Sequence, residues 1–130
     1  MKIIKFRAWH TKANEMFSAE EMGKDEMTLA VDGRGFVNVS GNSTGLSQYI
    51  VEMIPMQFTG LKDKNGKECF ESDLIKDIDD VIFKIEYRED YLQVVAIKTV
   101  YPDWQPTMLK DLKPFEVIGN IYENHNLLKD

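Results

Sequence analysis

The sequence predicts a mainly β protein of short antiparallel strands, with one or two short helices. Two features carry this prediction. Apolar residues alternate with polar ones in short runs, the period of a strand with one buried face. Turns marked by Gly, Asn and Asp separate those runs, which favours a sandwich or small barrel over a parallel α/β fold.

Taken in order, the first strand is Ile3–Trp9, where large apolar residues are interleaved with Lys5 and Arg7. His10–Asn14 connects it to a short return strand at Glu15–Phe17. Ser18 with Glu21 three positions on fits a capping box, and predicts a turn or two of helix near 19–23. Thr28–Val31 and Phe36–Val39 flank Asp32-Gly33-Arg34-Gly35 and predict a hairpin. Gly41–Gly45 reads as a loop. Met53–Phe58 follows as a strand, with Pro55 placing it at an edge or a bulge. Asn65-Gly66 predicts a type I′ turn. Leu74–Ile78 is the next strand, and Val81, Phe83, Ile85 and Tyr87 alternate with Ile82, Lys84 and Glu86 in another. Arg88-Glu89-Asp90 turns the chain into Tyr91–Ile97. Glu116–Ile118 is the last strand, with a short helix within Tyr122–Leu128. The preferred architecture is a small SH3-like barrel with its short C-terminal helix in residues 55–130. Before it lies an N-terminal β segment, residues 1–54, with its hairpin and loop, the whole forming one compact unit.

At 130 residues the chain is long enough to fold without a metal or a disulfide. Cys69 is the only cysteine, so no intramolecular disulfide forms, and nothing argues for an oxidising compartment. The N-terminal apolar run is too short for a signal peptide, and no run approaches a membrane span. The expected location is the cytoplasm of a bacterial host, away from membranes.

A net charge of -6 weighs against wholesale binding to nucleic acid or anionic lipid. The charge is unevenly placed. Residues 1–14 carry Lys2, Lys5, Arg7 and Lys12 with no carboxylate, whereas residues 71–90 carry eight acids against three bases. Phosphate contact, if the chain makes any, falls to Lys2, Lys5, Arg7 and Lys12 with Lys62, Lys64 and Lys67. An acidic docking face would use Asp77, Asp79, Asp80, Glu89 and Asp90.

No constellation for catalysis emerges. Five residues, not four, separate Gly60 from Gly66, and Glu68 follows Lys67 where a phosphate-binding loop needs Ser or Thr. Asp77, Asp79 and Asp80 lack the glycine and distant Glu of a calcium loop. His10, Cys69 and His125 stand far apart in sequence, and the acids beside Cys69 disfavour a reactive thiolate. Cys69 reads as a structural thiol. Phe6, Trp9, Phe58, Phe83, Tyr87 and Phe115 read as core residues, with base stacking as the minority role. No catalytic, cofactor-binding or metal residue is assigned, and no cofactor is expected.

Three segments together resemble the YopX family of phage and prophage proteins: Lys5-Phe6-Arg7-Ala8-Trp9, the run Met56-Gln57-Phe58-Thr59-Gly60-Leu61-Lys62-Asp63-Lys64-Asn65-Gly66-Lys67-Glu68, and Glu116-Val117-Ile118-Gly119-Asn120-Ile121-Tyr122-Glu123-Asn124. The resemblance spans the whole length, and the central run is the most specific part. It implies a β-rich fold with an SH3-like barrel, an origin in phages or prophages of Gram-positive bacteria, and no established catalytic residues. The chain departs from the family pattern in three places. Ser72 stands where the family has Gly, His10 follows Trp9 in place of an acidic residue, and Asn124-His125-Asn126 replaces Asn-Pro-Glu. A Ser at that first position is strained if the turn needs a positive φ.

The expectation is therefore a phage or prophage accessory protein that is not an enzyme and acts as a protein-interaction module. Its partner would be a host or phage protein, with self-association through strand edges as a second mode. The alternatives are a small-barrel nucleic-acid binder, and an acidic decoy that blocks a host nucleic-acid-binding protein.

Overall fold

The computed structural model describes residues 4–24, 27–29, 35–38, 49–50, 53–88, 93–98, 107–108 and 112–128. It is mainly β, its strand pairs are antiparallel, and helix is confined to one six-residue segment and one 3-10 turn among these residues. The chain divides into two units, Lys5–Gln57 on one hand and Met1–Ile4 with Phe58–Asp130 on the other.

In the unit Lys5–Gln57, strand β1 (Phe6–His10) pairs with β2 (Glu15–Phe17) on one side. On the other it pairs with the first half of β6 (Met53–Lys62). The chain reverses after β1 by bonds from Asn14 N–H to His10 O at 2.9 Å and from Ala13 N–H to His10 Nδ1 at 3.1 Å. Asn14 takes a positive φ of 54°, a conformation asparagine tolerates better than most residues. The capping box forms as the sequence predicts and opens helix α1 (Ala19–Lys24). Glu21 N–H donates to Ser18 Oγ, and Ser18 N–H donates to Glu21 Oε1. Strands β3 (Met27–Leu29), β4 (Phe36–Asn38) and β5 (Tyr49–Ile50) form a second sheet. The predicted β3–β4 pairing is present, with Leu29 opposite Phe36, while the turn residues 32–34 and the loop 41–45 lie outside the described residues. Ala8, Met22, Phe36 and Met53 are the buried centre, flanked by Phe6, Phe17, Met27 and Leu29. Pro55 is exposed opposite Ala8, on a stretch of β6 that pairs with β1 and no second strand among the described residues, an edge position of the kind that tolerates proline.

In the second unit, residues Phe58–Lys62 of β6 pair with β7 (Glu68–Phe70). Five further strands follow: β8 (Asp73–Lys76), β9 (Ile82–Arg88), β10 (Gln93–Lys98), β11 (Thr107–Met108) and β12 (Glu116–Asn120). They form one antiparallel sheet in the order β11-β10-β9-β8-β12. The period-two reading of β9 holds: Phe83 and Ile85 are buried, while Lys84 and Glu86 share the other face and pair at 2.6 Å. Cys69, Ile75, Phe83, Ile85, Leu112 and Val117 form the core, with Leu61, Val81 and Phe115 against them. Burying side chains of this size stabilises by roughly 1.5–3 kcal/mol each.

Two expectations fail here. β8 stops at Lys76, and Ile78 stands in the following turn, 91% exposed, because the Asp77 carboxylate binds turn N–H groups and ends the strand. The C-terminal helix shrinks to a 3-10 turn at His125–Leu128, since Asn120 closes a turn over Tyr122 and Glu123 first.

Candidate functional site

Asp63, Asp73 and Asn120 are the buried polar residues among those described, and each is bound to backbone. Asp63 ends β6. Its Oδ1 accepts from Asn65 N–H at 2.9 Å and Lys67 N–H at 2.8 Å, and its Oδ2 accepts from Val117 N–H at 2.8 Å. Burial pushes its pKa up, but the hydrogen bonds from Val117, Lys67 and Asn65 and the Lys67 charge outweigh that, so the carboxyl lies below its ordinary value of 3.8. Lys64 N–H also donates to Phe115 O at 3.1 Å. The β6–β7 hairpin is thereby tied to the outer edge of β12, and the side chain of Asp63 does the work of a neighbouring strand.

The turn beneath this clamp differs from the type I′ turn the Asn-Gly pair predicts. Gly66 N–H donates to Asp63 O, and Gly66 has a φ of 80°, whereas neither Lys64 nor Asn65 is among the residues of positive φ. This is a type I turn closed by a bulged glycine, the three-residue hairpin loop. Asp63 selects it by holding the Asn65 and Lys67 amides.

The same device recurs at Asp77–Val81. Asp77 Oδ1 accepts from Asp79 N–H and Val81 N–H, Asp80 N–H donates to Asp77 O, and Asp77 N–H donates to Val81 O. Here Asp80, with φ 61°, holds the place of Gly66. At the β7–β8 turn Asp73 Oδ2 accepts from Phe70 N–H at 2.7 Å. Ser72 adopts a φ of 71° between them, so the strain that its departure from Gly implies is present. Gly60, φ 85°, sits in the β6 bulge, where Thr59 Oγ1 donates to Cys69 O at 2.8 Å and accepts from Leu61 N–H. At the C-terminus Asn120 Oδ1 accepts from Tyr122 and Glu123 N–H, and Asn120 N–H donates to Asn124 Oδ1. A side chain on Gly119 would collide with Asn124.

The charged residues singled out in the sequence distribute as follows. Lys62, Lys64 and Lys67 are exposed around one turn, Lys64 lying 3.8 Å from Glu116. Lys5, Arg7 and Lys12 belong to the other unit, where Lys5 lies 4.0 Å from Glu20; Lys2 lies outside the described residues. Of the acidic set, Asp77 caps its turn, Asp80 lies 3.5 Å from Lys76, and Asp79 is exposed. Glu89 and Asp90 lie outside the described residues. His10 belongs to the first unit, Cys69 is fully buried in the second, and His125 is exposed. Among the described residues no group of three or more His, Cys, Asp or Glu is placed to hold a metal ion. No helix among them is long and apolar enough to cross a membrane. Cys69 is a buried core thiol, as the sequence predicts, and Trp9, Phe58 and Phe83 are buried core aromatics. Sequence reasoning missed the roles of Asp63, Asp73 and Asn120, although an Asp three residues before Gly66 is a legible signal for a capped turn.

The profile of the YopX protein family matches residues 5–129. This chain belongs to the YopX family. Its fold is similar to the crystal structure of protein EF1440 from Enterococcus faecalis, with a TM-score of 0.62 and 25% identity over 99% of this chain and 100% of that one. It is also similar to protein yopX from Bacillus subtilis, with a TM-score of 0.60 and 14% identity over 99% and 100% of the two chains, a likeness of fold. Among curated proteins nothing matches. The YopX signature of this chain now has a physical account. In its central and terminal runs, Thr59, Asp63, Asn120 and Asn124 direct side chains to backbone groups, while Gly60 and Gly66 supply positive φ.

Proposed function

We propose that this YopX-family chain is a phage or prophage accessory protein that acts without catalysis, as a module binding a host or phage protein. One observation carries the reading: Thr59, Asp63, Asn120 and Asn124 of the signature direct their side chains to the chain's own backbone, which supports a scaffold rather than a reacting site. The finer reading of the second unit as an SH3-like barrel belongs to this proposal. It is supported by the clamp from Asp63 to Val117, which covers the β12 edge of the five-stranded sheet. At the other end of that sheet β11 remains as the edge for capture of a partner strand among the described residues. The test is affinity capture with the tagged chain from phage-infected cells, followed by titration of any recovered protein against the purified chain. Saturable binding at a fixed stoichiometry supports the module; capture no better than a tag control, in repeated infections, ends it.

The nucleic-acid reading keeps one favourable observation, the exposure of Lys62, Lys64 and Lys67 around a single turn. Such binding weakens steeply with salt. A mobility shift at about 50 mM salt that disappears on charge reversal of these lysines would replace the first reading with this one.

A further inference from the structure

We propose that Asn65 is a site of spontaneous covalent modification, converting to aspartate and isoaspartate through a succinimide, and that the Asp63 clamp sets the rate. Asn65 is the asparagine in the chain that glycine follows, and a glycine leaves the backbone nitrogen open to approach. It is exposed, and its hydrogen bond to Asp63 uses the backbone N–H and leaves the side-chain amide out. Asparagine is also among the thermolabile residues. In the reaction the Gly66 nitrogen gives its proton to solvent base and attacks Cγ of Asn65. The N–Cγ bond forms, the Cγ–Nδ2 bond breaks, and Nδ2 leaves as ammonia with a proton from water. Water then opens the ring at either carbonyl. One opening gives aspartate; the other gives isoaspartate, whose backbone is longer by one carbon.

The native turn opposes the first step at two points. Gly66 N–H donates to Asp63 O at 3.0 Å, which shields it from base. Asp63 Oδ1 holds the amides of Asn65 and Lys67, fixing the backbone on both sides of the reacting pair. The ring therefore forms from the opened hairpin. An isoaspartyl backbone does not fit the closed turn, so Asp63 loses its register, and with it the bond to Val117 on β12. Chemistry at one exposed residue thus reaches the core of the unit.

The experiment incubates the purified full chain at mildly alkaline pH and follows the amide-to-acid mass shift in the peptide containing Asn65. Asp32-Gly33 gives no such shift on isomerisation. Conversion in denaturant is expected to run at least about tenfold faster than in the native chain, the factor set by a clamp worth one hydrogen bond to a charged group. Asp63→Ala is expected to speed conversion at Asn65 while Asn120, Asn124 and Asn126 keep wild-type rates. If that variant unfolds, every asparagine accelerates, and the native-against-denatured comparison of the wild type decides. Equal rates in the two states overturn the clamp, and no conversion in denaturant overturns the site. Asn65→Asp carries the product charge on an ordinary backbone and is expected to keep wild-type stability, with the isolated isoaspartyl form less stable. Equal stability of those two forms overturns the transmission to β12.

Discussion

Replacing Asp63 by Ala removes an acceptor that serves three amides, and the three losses differ. Val117 is 6% exposed, so its N–H is left buried and unpaired, at a cost of about 1–3 kcal/mol. Asn65 and Lys67 are exposed, and water takes their amides, so each costs only about 0.5–1 kcal/mol. The expected total is about 2–5 kcal/mol, a large share of the roughly 5–15 kcal/mol that holds a typical domain. Urea unfolding of the wild type and Asp63→Ala, compared at equal slope, measures it. Amide exchange locates it, with Val117 losing the most protection. The pH dependence carries the same signature. Because the folded carboxyl lies below 3.8, its contribution is complete above the unfolded value and fades as pH falls through 3.8 toward the folded one. Asp63→Asn should flatten that acid limb. A loss below about 1 kcal/mol, or an unchanged acid limb, refutes the clamp.

Three other outcomes follow from the turns and the core. Ser72→Gly relieves a left-handed backbone worth roughly 1–2 kcal/mol and adds unfolded-chain entropy worth about 0.4–1 kcal/mol. A net gain near 0.5–1 kcal/mol is expected in thermal unfolding, with the like at Asp80→Gly, where a φ of 61° replaces Gly66's; a loss at both positions would contradict the assigned φ. Gly119→Ala should cost about 1–3 kcal/mol by overpacking against Asn124. Asn124→Ala should remove the collision's share of that cost and leave the backbone strain at φ 159°, so a double-mutant cycle with no coupling speaks against the collision. Ile78→Ser should change stability by less than about 0.5 kcal/mol, whereas Ile85→Ala, at 0% exposure, should cost about 2–5 kcal/mol. Similar costs at both would restore Ile78 to a buried strand.

What the sequence determined by itself was local. Period-two alternation placed β9, because Phe83 and Ile85 have one face to fill whatever packs against it. Ser18 and Glu21 determined the start of α1, since a capping box needs groups only three residues apart. The buried state of Cys69 and the YopX membership were legible for a similar reason, each resting on residue type and order. Tertiary structure decided the rest. Whether the Asn-Gly pair makes a type I′ turn or a bulged type I turn depends on Asp63, whose other oxygen answers to Val117, 54 residues away. Ile78 matches a strand pattern, yet the neighbouring Asp77 turns it into solvent. An Asp three residues before a Gly signals the amides of its own turn, but no local pattern records that the second oxygen of Asp63 will meet the Val117 amide.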